Sequence, residues 1–359
     1  MMERVSPYQG LGARAYWRTG LAEADYPPAD IFRAKWALSK DDKIVTAGSC
    51  FAQHVGRAMR ENGFNVQDAE PAPAAIPADQ LTTYGYGMYS ARYGNIYTTR
   101  QLRQLLDEAW DGAPSFDAVW EKGGRFYDAL RPNIEPQGFD SLEAVQAARV
   151  EHLAKVREVF SNADVFIFTL GLTEAWYHKP SGQVYPTAPG TIAGVFDEKI
   201  HGFVNFRLAE VRADLVAALA RLKALNPKLR VLLTVSPVPL TATASDAHVL
   251  TATTYSKSVL RACTGELYAD FPEVDYFPSY ELVTSTKAGA SFFEENLRSV
   301  TDAGVAKVMA VIIRAHLGDV EAPTSETASE PVAGRKADRE DRRANREDRK
   351  ERRRAGKGA

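Results

Sequence analysis

Two uninterrupted apolar runs, Asp164–Leu170 (DVFIFTL) and Leu229–Val235 (LRVLLTV), constrain the fold of this chain most. Because a strand covered on one face alternates polar and apolar residues, such runs indicate strands that are buried on both faces. Shorter strands are predicted at Lys43–Ala47 and Val274–Phe277. The alternation of strands and helices predicts an α/β protein with a doubly wound parallel sheet. The helices predicted from apolar spacing are Ser141–Ser161, Asn205–Leu225, His248–Tyr268 and Thr301–His316.

The first predicted strand leads into a turn of small residues that contains Cys50, one of only two cysteines. Apolar residues then recur at helical spacing over Phe51–Asn62, which places Gly48, Ser49 and Cys50 in a strand-to-helix turn. The free N–H groups of a helix start favour negative charge and can lower a thiol pKa from about 8.5 toward neutrality. Cys50 is therefore a candidate nucleophile, and a small buried side chain that fills the strand–helix join is the alternative.

The chain divides into three parts by composition. Residues 1–42 form an N-terminal extension expected to pack on the domain, residues 43–318 form one α/β domain, and residues 319–359 form a charged tail. Within the domain, Pro71–Pro136 is rich in Pro, Tyr and Gly and is predicted to be an insertion above the sheet. The tail has no aromatic or branched apolar side chain after Val332, so we expect it to be disordered.

The net charge of −2 conceals an asymmetry. Arg335–Ala359 contains twelve basic and six acidic residues, so this segment carries +6 and the rest of the chain −8. Acidic residues interrupt the basic run throughout, which favours a solvated tail over a nucleic-acid-binding segment.

The sequence also limits the expected location of the protein. No stretch approaches the ~18 apolar residues of a membrane span, and the segment MMERVSPYQG lacks the apolar core of a signal peptide. Two cysteines do not form a disulfide scaffold. We therefore expect a cytoplasmic protein with reduced thiols.

The segments that follow the four predicted strands read AGSC, LGLTEAW, SPVPLTAT and PSYELV. Ligands of open parallel sheets bind beyond the carboxyl ends of the strands. Small and hydroxyl-bearing residues at these ends predict a functional site at that edge of the sheet.

These segments resemble the GSCFA family, named for the string Gly48-Ser49-Cys50-Phe51-Ala52. Further matching pieces are YGNIYTTRQL, TLGLTEAW, FVNF, TVSPVPLTAT and YSKSVLRA, and the resemblance runs from about Lys43 to about His316. The family is similar in turn to the SGNH (GDSL-type) esterases and acyltransferases. The resemblance implies a three-layer, SGNH- or flavodoxin-like α/β fold with a doubly wound parallel sheet.

The resemblance also implies roles for individual residues. Cys50 falls at the nucleophile position, with Ser49 beside it in the catalytic turn. An ionised Glu174 would repel an oxyanion, so we expect it to orient a substrate hydroxyl or to act as a solvated or capping carboxylate. The residues expected to bind the oxyanion or the substrate are Gly94, Asn95, Gly171, Thr173, Glu174 and Ser236.

The expected base is missing from its usual place. SGNH enzymes carry Asp-x-x-His before the last helix, and this chain has Glu295 and Arg298 at that spacing. Arginine cannot act as a base because its pKa exceeds 12. We predict His248, which follows a long loop at the same sheet edge, as the general base. His54 and His178 remain alternatives.

Two further groups of side chains could bind a substrate. Lys257 and Arg261 lie one helical turn apart and could hold a phosphate or carboxylate, or pair with glutamates of a neighbouring helix. Tyrosines suit sugar rings, although they could also simply pack their own loop. They are Tyr84, Tyr86, Tyr89, Tyr93 and Tyr97.

Three functions are compatible with these patterns. The first is an esterase or O-acyltransferase with a Cys50 nucleophile that modifies a carbohydrate or polysaccharide. It would need no bound cofactor and could use acyl-CoA or another acyl donor as co-substrate. The second is a non-catalytic member of the same fold that binds a glycan or a partner. The third is a redox-sensing thiol at Cys50 with Cys263 as its resolving partner.

Overall fold

The computed structural model describes residues 6–112 and 118–317. The predicted tail, 319–359, lies outside the described residues. The strands of the described residues are β1 (Ile44–Gly48), β2 (Val119–Lys122), β3 (Arg125–Asp128), β4 (Val165–Leu170), β5 (Glu174–His178), β6 (Val184–Tyr185), β7 (His201–Asn205), β8 (Arg230–Val235) and β9 (Val274–Phe277). The α-helices are α1 (Ala52–Glu61), α2 (Thr99–Asp111), α3 (Leu142–Ser161), α4 (Leu208–Leu225), α5 (Val249–Asp270), α6 (Ser279–Thr284) and α7 (Asp302–Leu317).

The centre of the fold is a parallel sheet of four strands in the order β1-β4-β8-β9. All six residues of β4 are buried, as the apolar run DVFIFTL predicted. The sequence analysis thus found all four strands of this sheet. It also found helices α1, α3, α4, α5 and α7, with ends that differ from the structure by up to three residues.

Helices cover both faces of the sheet and give three layers. One face packs against α2, α3, α4 and α5, and the other against α1, α6 and α7. Neighbouring residues of one strand point to opposite faces, so Phe166 belongs to the first core and Ile167 to the second. The structure is therefore α/β with a central parallel sheet between two helical layers.

The first strand has neighbours on both sides. Ile44 pairs with Val165 of β4 on one side and forms a single parallel bridge to Val66 on the other. The chain leaves β1 through α1 toward Val66 and returns later to β4, so the winding direction reverses at β1. Such a reversal leaves a crevice at the carboxyl end of the strand.

The segment predicted to be an irregular insertion contributes to the core. It contains α2, whose first turn is closed by a capping box in which Thr98 and Gln101 exchange hydrogen bonds. Leu102 and Leu106 of this helix are buried in the first core. The antiparallel hairpin of β2 and β3 follows it. The Pro and Gly content around α2 hid a regular helix from the sequence analysis.

A second, antiparallel sheet in the order β6-β5-β7 was not predicted. Glu174–His178 pairs along its length with His201–Asn205. The longer partner of β5 is β7, which follows only after β6 and a loop, so local periodicity did not reveal this sheet.

The N-terminal residues contact the domain near β9. Phe32 packs edge-on against Phe277 with 5.3 Å between ring centroids, and the backbone N–H of Lys35 donates to the Asp275 carboxylate at 2.8 Å. Across residues 6–112 and 118–317, no helix combines the length and apolar composition that crossing a bilayer requires.

Candidate functional site

The turn after β1 is fixed by its backbone. The Ser49 N–H donates to the carbonyl of Thr169 at 3.0 Å, and the Ala52 N–H donates to the carbonyl of Ser49 at 2.8 Å. Gly48 has φ +138°, and a Cβ there would lie 2.3 Å from the Thr169 oxygen. Only glycine permits this approach, which places Cys50 two residues before the start of α1, at the carboxyl end of β1.

The two residues of this turn with reactive side chains differ in exposure. Cys50 is partly exposed, whereas Ser49 is 2% exposed. Among the described residues the Ser49 hydroxyl has no hydrogen-bond partner. The second thiol, Cys263, is fully buried within α5. Cys50 is therefore the thiol that a solute can reach.

A buried lysine approaches this turn from α5. Lys257 is 1% exposed, and its Nζ donates to the carbonyl of Gly171 at 2.6 Å. Within the described part of the chain, no carboxylate forms an ion pair with it. The preceding Ser256 accepts a hydrogen bond from the Thr173 N–H at 3.0 Å. Two consecutive residues of α5 thus hold the loop that follows β4.

Opposing influences act on the Cys50 thiol. Burial raises its pKa, and this effect exceeds the lowering by the positive charges of Arg298 and Lys257 and by the N–H groups of Phe51 and Cys50. The expectation that the helix start lowers the pKa of this thiol toward neutrality is therefore wrong. Although Cys50 is partly exposed, the desolvation of its sulfur raises the pKa more than the N–H groups at the helix start lower it.

The same surroundings act on the lysine. Burial, assisted by the charge of Arg298, lowers the pKa of Lys257 to about 7, while a negative charge on Cys50 would raise it. Arg298 itself lies before α7, and its Nε donates to the carbonyl of Pro239 at 3.2 Å. The thiol, an amine that titrates near neutral pH and a guanidinium therefore form one electrostatic cluster.

Several predicted ligand-binding residues serve the scaffold. Gly171 uses its N–H for the carbonyl of Tyr97 at 3.0 Å. Thr173 is fully buried, and its hydroxyl donates to the Asn205 amide oxygen at 2.6 Å. In this arrangement neither donor is directed at a ligand. Ser236 is 1% exposed and accepts from the N–H of Val238.

Glu174 holds the long loop after β8. This carboxylate is 9% exposed and accepts from the Thr243 hydroxyl at 2.7 Å. Thr243 also shares a hydrogen bond with Ser245 at 2.8 Å. The structure thus gives Glu174 a partner in the chain itself, at the base of the second sheet.

Gly94 and Asn95 lie beside the turn of Cys50. The Tyr89 hydroxyl donates to the Asn95 amide oxygen at 2.5 Å and lies 3.3 Å from the carbonyl oxygen of Ser49. Next to them opens a pocket of about 120 Å³. It is lined by Gly94, Asn95, Tyr97, Arg131, Pro132, Asn133, Pro186, Thr187 and Ile192.

The three candidate imidazoles lie in different environments. His248 is exposed at the N-terminus of α5, where its Nδ1 accepts from the N–H of Leu250 at 3.2 Å. His54 packs on the Phe51 ring with centroids 5.5 Å apart. His178 lies at the end of β5 and bonds to the Ser181 hydroxyl. His248 therefore serves as the N-cap of α5.

Lys257 was predicted only as a possible anion-binding partner of Arg261, and Arg298 was not predicted to belong to the site. The motif YSKSVLRA suggested that Lys257 and Arg261 act together, but Arg261 pairs with Glu281 and packs on the Tyr276 ring. Only Lys257 enters the interior. The sequence held one signal for this role: the small residues Ser256 and Ser258 flank Lys257, and small side chains allow a helix to approach a strand end closely.

Comparison with known sequences identifies the family of this chain. None of the curated proteins compared matches the chain. The model of the GSCFA family matches residues 43–311, which extends from the first residue before β1 into α7 and includes the Cys50 turn, Lys257 and Arg298. Since this match covers well over half of the sequence, the chain belongs to the GSCFA family.

Proposed function

We propose that this protein is an SGNH-like acyl-transferring enzyme, an esterase or an O-acyltransferase, with Cys50 as its nucleophile. The carrying observation is the position of a partly exposed thiol at the carboxyl end of β1, close enough to the Arg298 guanidinium and the Lys257 amine for both to act on its pKa. A nucleophile and positive charge are the two elements that acyl transfer requires at one place.

The sheet order supports the SGNH likeness. With Val66 counted as a short strand, the parallel order reads Val66, β1, β4, β8, β9, so the first strand of the chain is second from the edge. This is the order of flavodoxin-like sheets, in which ligands bind at the switch point beside the first strand. Cys50 follows that strand.

The chemistry proceeds in two halves. The Cys50 sulfur loses its proton and attacks the ester or thioester carbonyl, whose oxygen takes up negative charge near Arg298. The carbonyl re-forms as the leaving alcohol or thiol departs with a proton, and the acyl group remains on the sulfur. Water or a sugar hydroxyl then attacks this thioester, loses a proton and releases Cys50.

The neighbouring pocket favours a carbohydrate substrate. Asn95, Asn133 and Thr187 offer hydrogen-bonding groups, while Tyr97 and Ile192 offer apolar surface. Sugar rings present polar edges and apolar faces, which such a mixed lining can contact. An acyl-CoA or another activated ester would supply the acyl group, and no bound cofactor takes part in this scheme.

A second candidate is a non-catalytic glycan- or partner-binding protein. The raised pKa of the Cys50 thiol favours it, because a protonated thiol is a weak nucleophile. This alternative uses the same pocket without covalent chemistry.

Mass spectrometry of the intact protein separates the two candidates. The protein is incubated with p-nitrophenyl acetate or acetyl-CoA, quenched in acid and weighed. The proposal expects one acetyl group on Cys50, absent from Cys50→Ala and retained in Cys263→Ala. An adduct that persists in Cys50→Ala would refute Cys50 as the nucleophile. The absence of an adduct under any condition, while the pocket binds oligosaccharides, would refute the enzyme and favour the binding protein.

A further inference from the structure

We propose that Lys257 accepts the proton of the Cys50 thiol, the role for which the sequence suggested a histidine. This inference rests on the acyl-transfer function proposed above and names its general base. Three features of the described residues lead to it: the burial of the lysine, the absence of a carboxylate partner, and its attachment to the strand end beside Cys50.

The burial of Lys257 is the first step. Its side chain is 1% exposed, and the carbonyl of Gly171 at 2.6 Å is its hydrogen-bond acceptor. An ammonium buried without an anion is costly, so such a lysine either loses its proton or keeps an anion nearby. Among the described residues, Cys50 is the group whose negative charge acts favourably on Lys257. A shared proton satisfies both groups.

Three ionisable groups around the pair cannot take this proton. Arg298 is permanently positive, and its charge disfavours a second cation at Lys257. Burial raises the pKa of the Tyr89 and Tyr97 phenols, so both remain neutral at ordinary pH. The amine, whose pKa is about 7, is thus a base available at neutral pH.

The attachment of α5 fixes where the amine lies. Lys257 binds the carbonyl of Gly171, and the adjacent Ser256 binds the N–H of Thr173, so the helix is held to the loop at two consecutive points. Gly171 in turn lies against the catalytic turn, since a Cβ on it would be 3.0 Å from the Cβ of Ser49. The Lys257 amine is therefore bonded to the same loop that packs against the turn of Cys50.

The proton balance follows from this arrangement. The proton moves from Cys50 Sγ to Lys257 Nζ as the sulfur–carbon bond forms. The resulting ammonium, still bonded to Gly171, returns the proton to the oxygen or sulfur of the leaving group as its bond to the acyl carbon breaks. In the second half the neutral amine takes the proton of the attacking water or hydroxyl and returns it to Cys50.

The test measures the alkylation rate of Cys50 by iodoacetamide from pH 5 to 10 in the full-length protein. An amine that shares the thiol proton gives two steps, the first near pH 7 and the second at higher pH, since coupled groups titrate as a pair. Lys257→Met should lose the first step and react about tenfold or more slowly at pH 7.5, the change expected for one unit of thiol pKa.

Two further variants sharpen this result. Lys223→Met removes a lysine of α4 that also donates to backbone carbonyls, and it should keep both steps. Lys257→Arg keeps a positive charge that cannot accept a proton. It should retain thiol alkylation at neutral pH yet lose acyl transfer by a factor of ~10² to 10⁴, the range of a positioned base.

The outcomes separate the two proposals. An alkylation profile that Lys257→Met leaves unchanged overturns the role of Lys257, whatever the fate of acyl transfer. A changed profile without any acetyl adduct on Cys50 supports the proton pair and refutes the acyl-transfer function. If circular dichroism shows that the lysine variants do not fold, the thiolate absorbance of the wild type minus Cys50→Ala decides, and a single step at or above pH 9 overturns the proposal.

Discussion

Lys257 Nζ lies 2.6 Å from the carbonyl oxygen of Gly171, so an amine from the interior of α5 closes the loop at the end of β4. This contact connects α5 to the turn of Cys50, because Gly171 packs on that turn. A lysine that only stabilised the loop would be expected to have a carboxylate partner or access to water, and Lys257 has neither among the described residues.

The two thiols should differ in reactivity. Cys50 is partly exposed, whereas Cys263 is fully buried and burial raises its pKa to about 12. We expect native protein at pH 7.5 to incorporate iodoacetamide at Cys50 at least about tenfold faster, since thiolate is the reacting form. Peptide mapping by mass spectrometry measures both sites. Equal, slow labelling would exclude Cys50 as a nucleophile, and unfolding in urea should equalise the rates.

Stability should rise with pH above neutrality because of Lys257. Its folded pKa of about 7 lies below the unfolded value of 10.5, so between these values the unfolded chain binds the extra proton and a rise in pH favours the fold. The expected gain in unfolding free energy approaches about 1.4 kcal/mol per pH unit from pH 7 to 9.

Urea unfolding at pH 7, 8 and 9 measures this dependence. Lys257→Met should remove most of it, and Lys223→Met should leave it in place. The Cys50 thiol, whose pKa is raised, opposes the trend only above its unfolded value of 9.0. Parallel curves for the wild type and Lys257→Met would contradict a neutral buried amine.

Gly48→Ala should disrupt the turn between β1 and α1. The residue has φ +138°, and an added Cβ would lie 2.3 Å from the Thr169 oxygen, a backbone atom that cannot move without breaking the β1–β4 pairing. We expect a loss of about 3 kcal/mol or more in unfolding free energy. Gly123→Ala is the matched control, because φ is +60° there with open space around the Cβ. It should cost about 1 kcal/mol. Equal losses would show that contact with β4 is unimportant.

Acid should destabilise the protein through His152. This imidazole is fully buried, its Nδ1 lies 2.8 Å from the Glu70 carboxylate, and burial lowers its pKa to about 4. The neutral His152 contributes to the unfolding free energy in full above the unfolded pKa of 6.5. This contribution is lost as pH falls toward 4, because the unfolded chain takes up the proton first.

The expected loss between pH 7 and pH 4.5 is about 2 to 3 kcal/mol. Guanidinium unfolding at the two pH values measures it. His152→Gln should reduce this difference, whereas His248→Gln, which removes an exposed imidazole, should preserve it. A dependence that survives unchanged in His152→Gln would assign the acid sensitivity to other groups, such as His316, whose pKa burial also lowers to about 4.

Local patterns in the sequence were sufficient to predict the central sheet, the helices that follow its strands and the position of Cys50. Apolar runs such as Asp164–Leu170 predict buried strands because a strand that lies between two helical layers needs apolar residues on both faces. This pattern can be read from the strand's own sequence. The turn at Gly48 was equally visible, since a glycine between a strand and a helix marks a backbone that other residues cannot adopt.

Only the tertiary structure decided which side chains share the site with Cys50. Lys257 lies far from Cys50 in sequence and had the same local pattern as the surface residue Arg261, yet one enters the core and the other pairs with Glu281. Tertiary packing likewise decided the direction of the pKa shift at Cys50. A helix start is a local feature that predicted a lowered thiol pKa, but desolvation depends on everything packed around the sulfur, and here it is the larger effect.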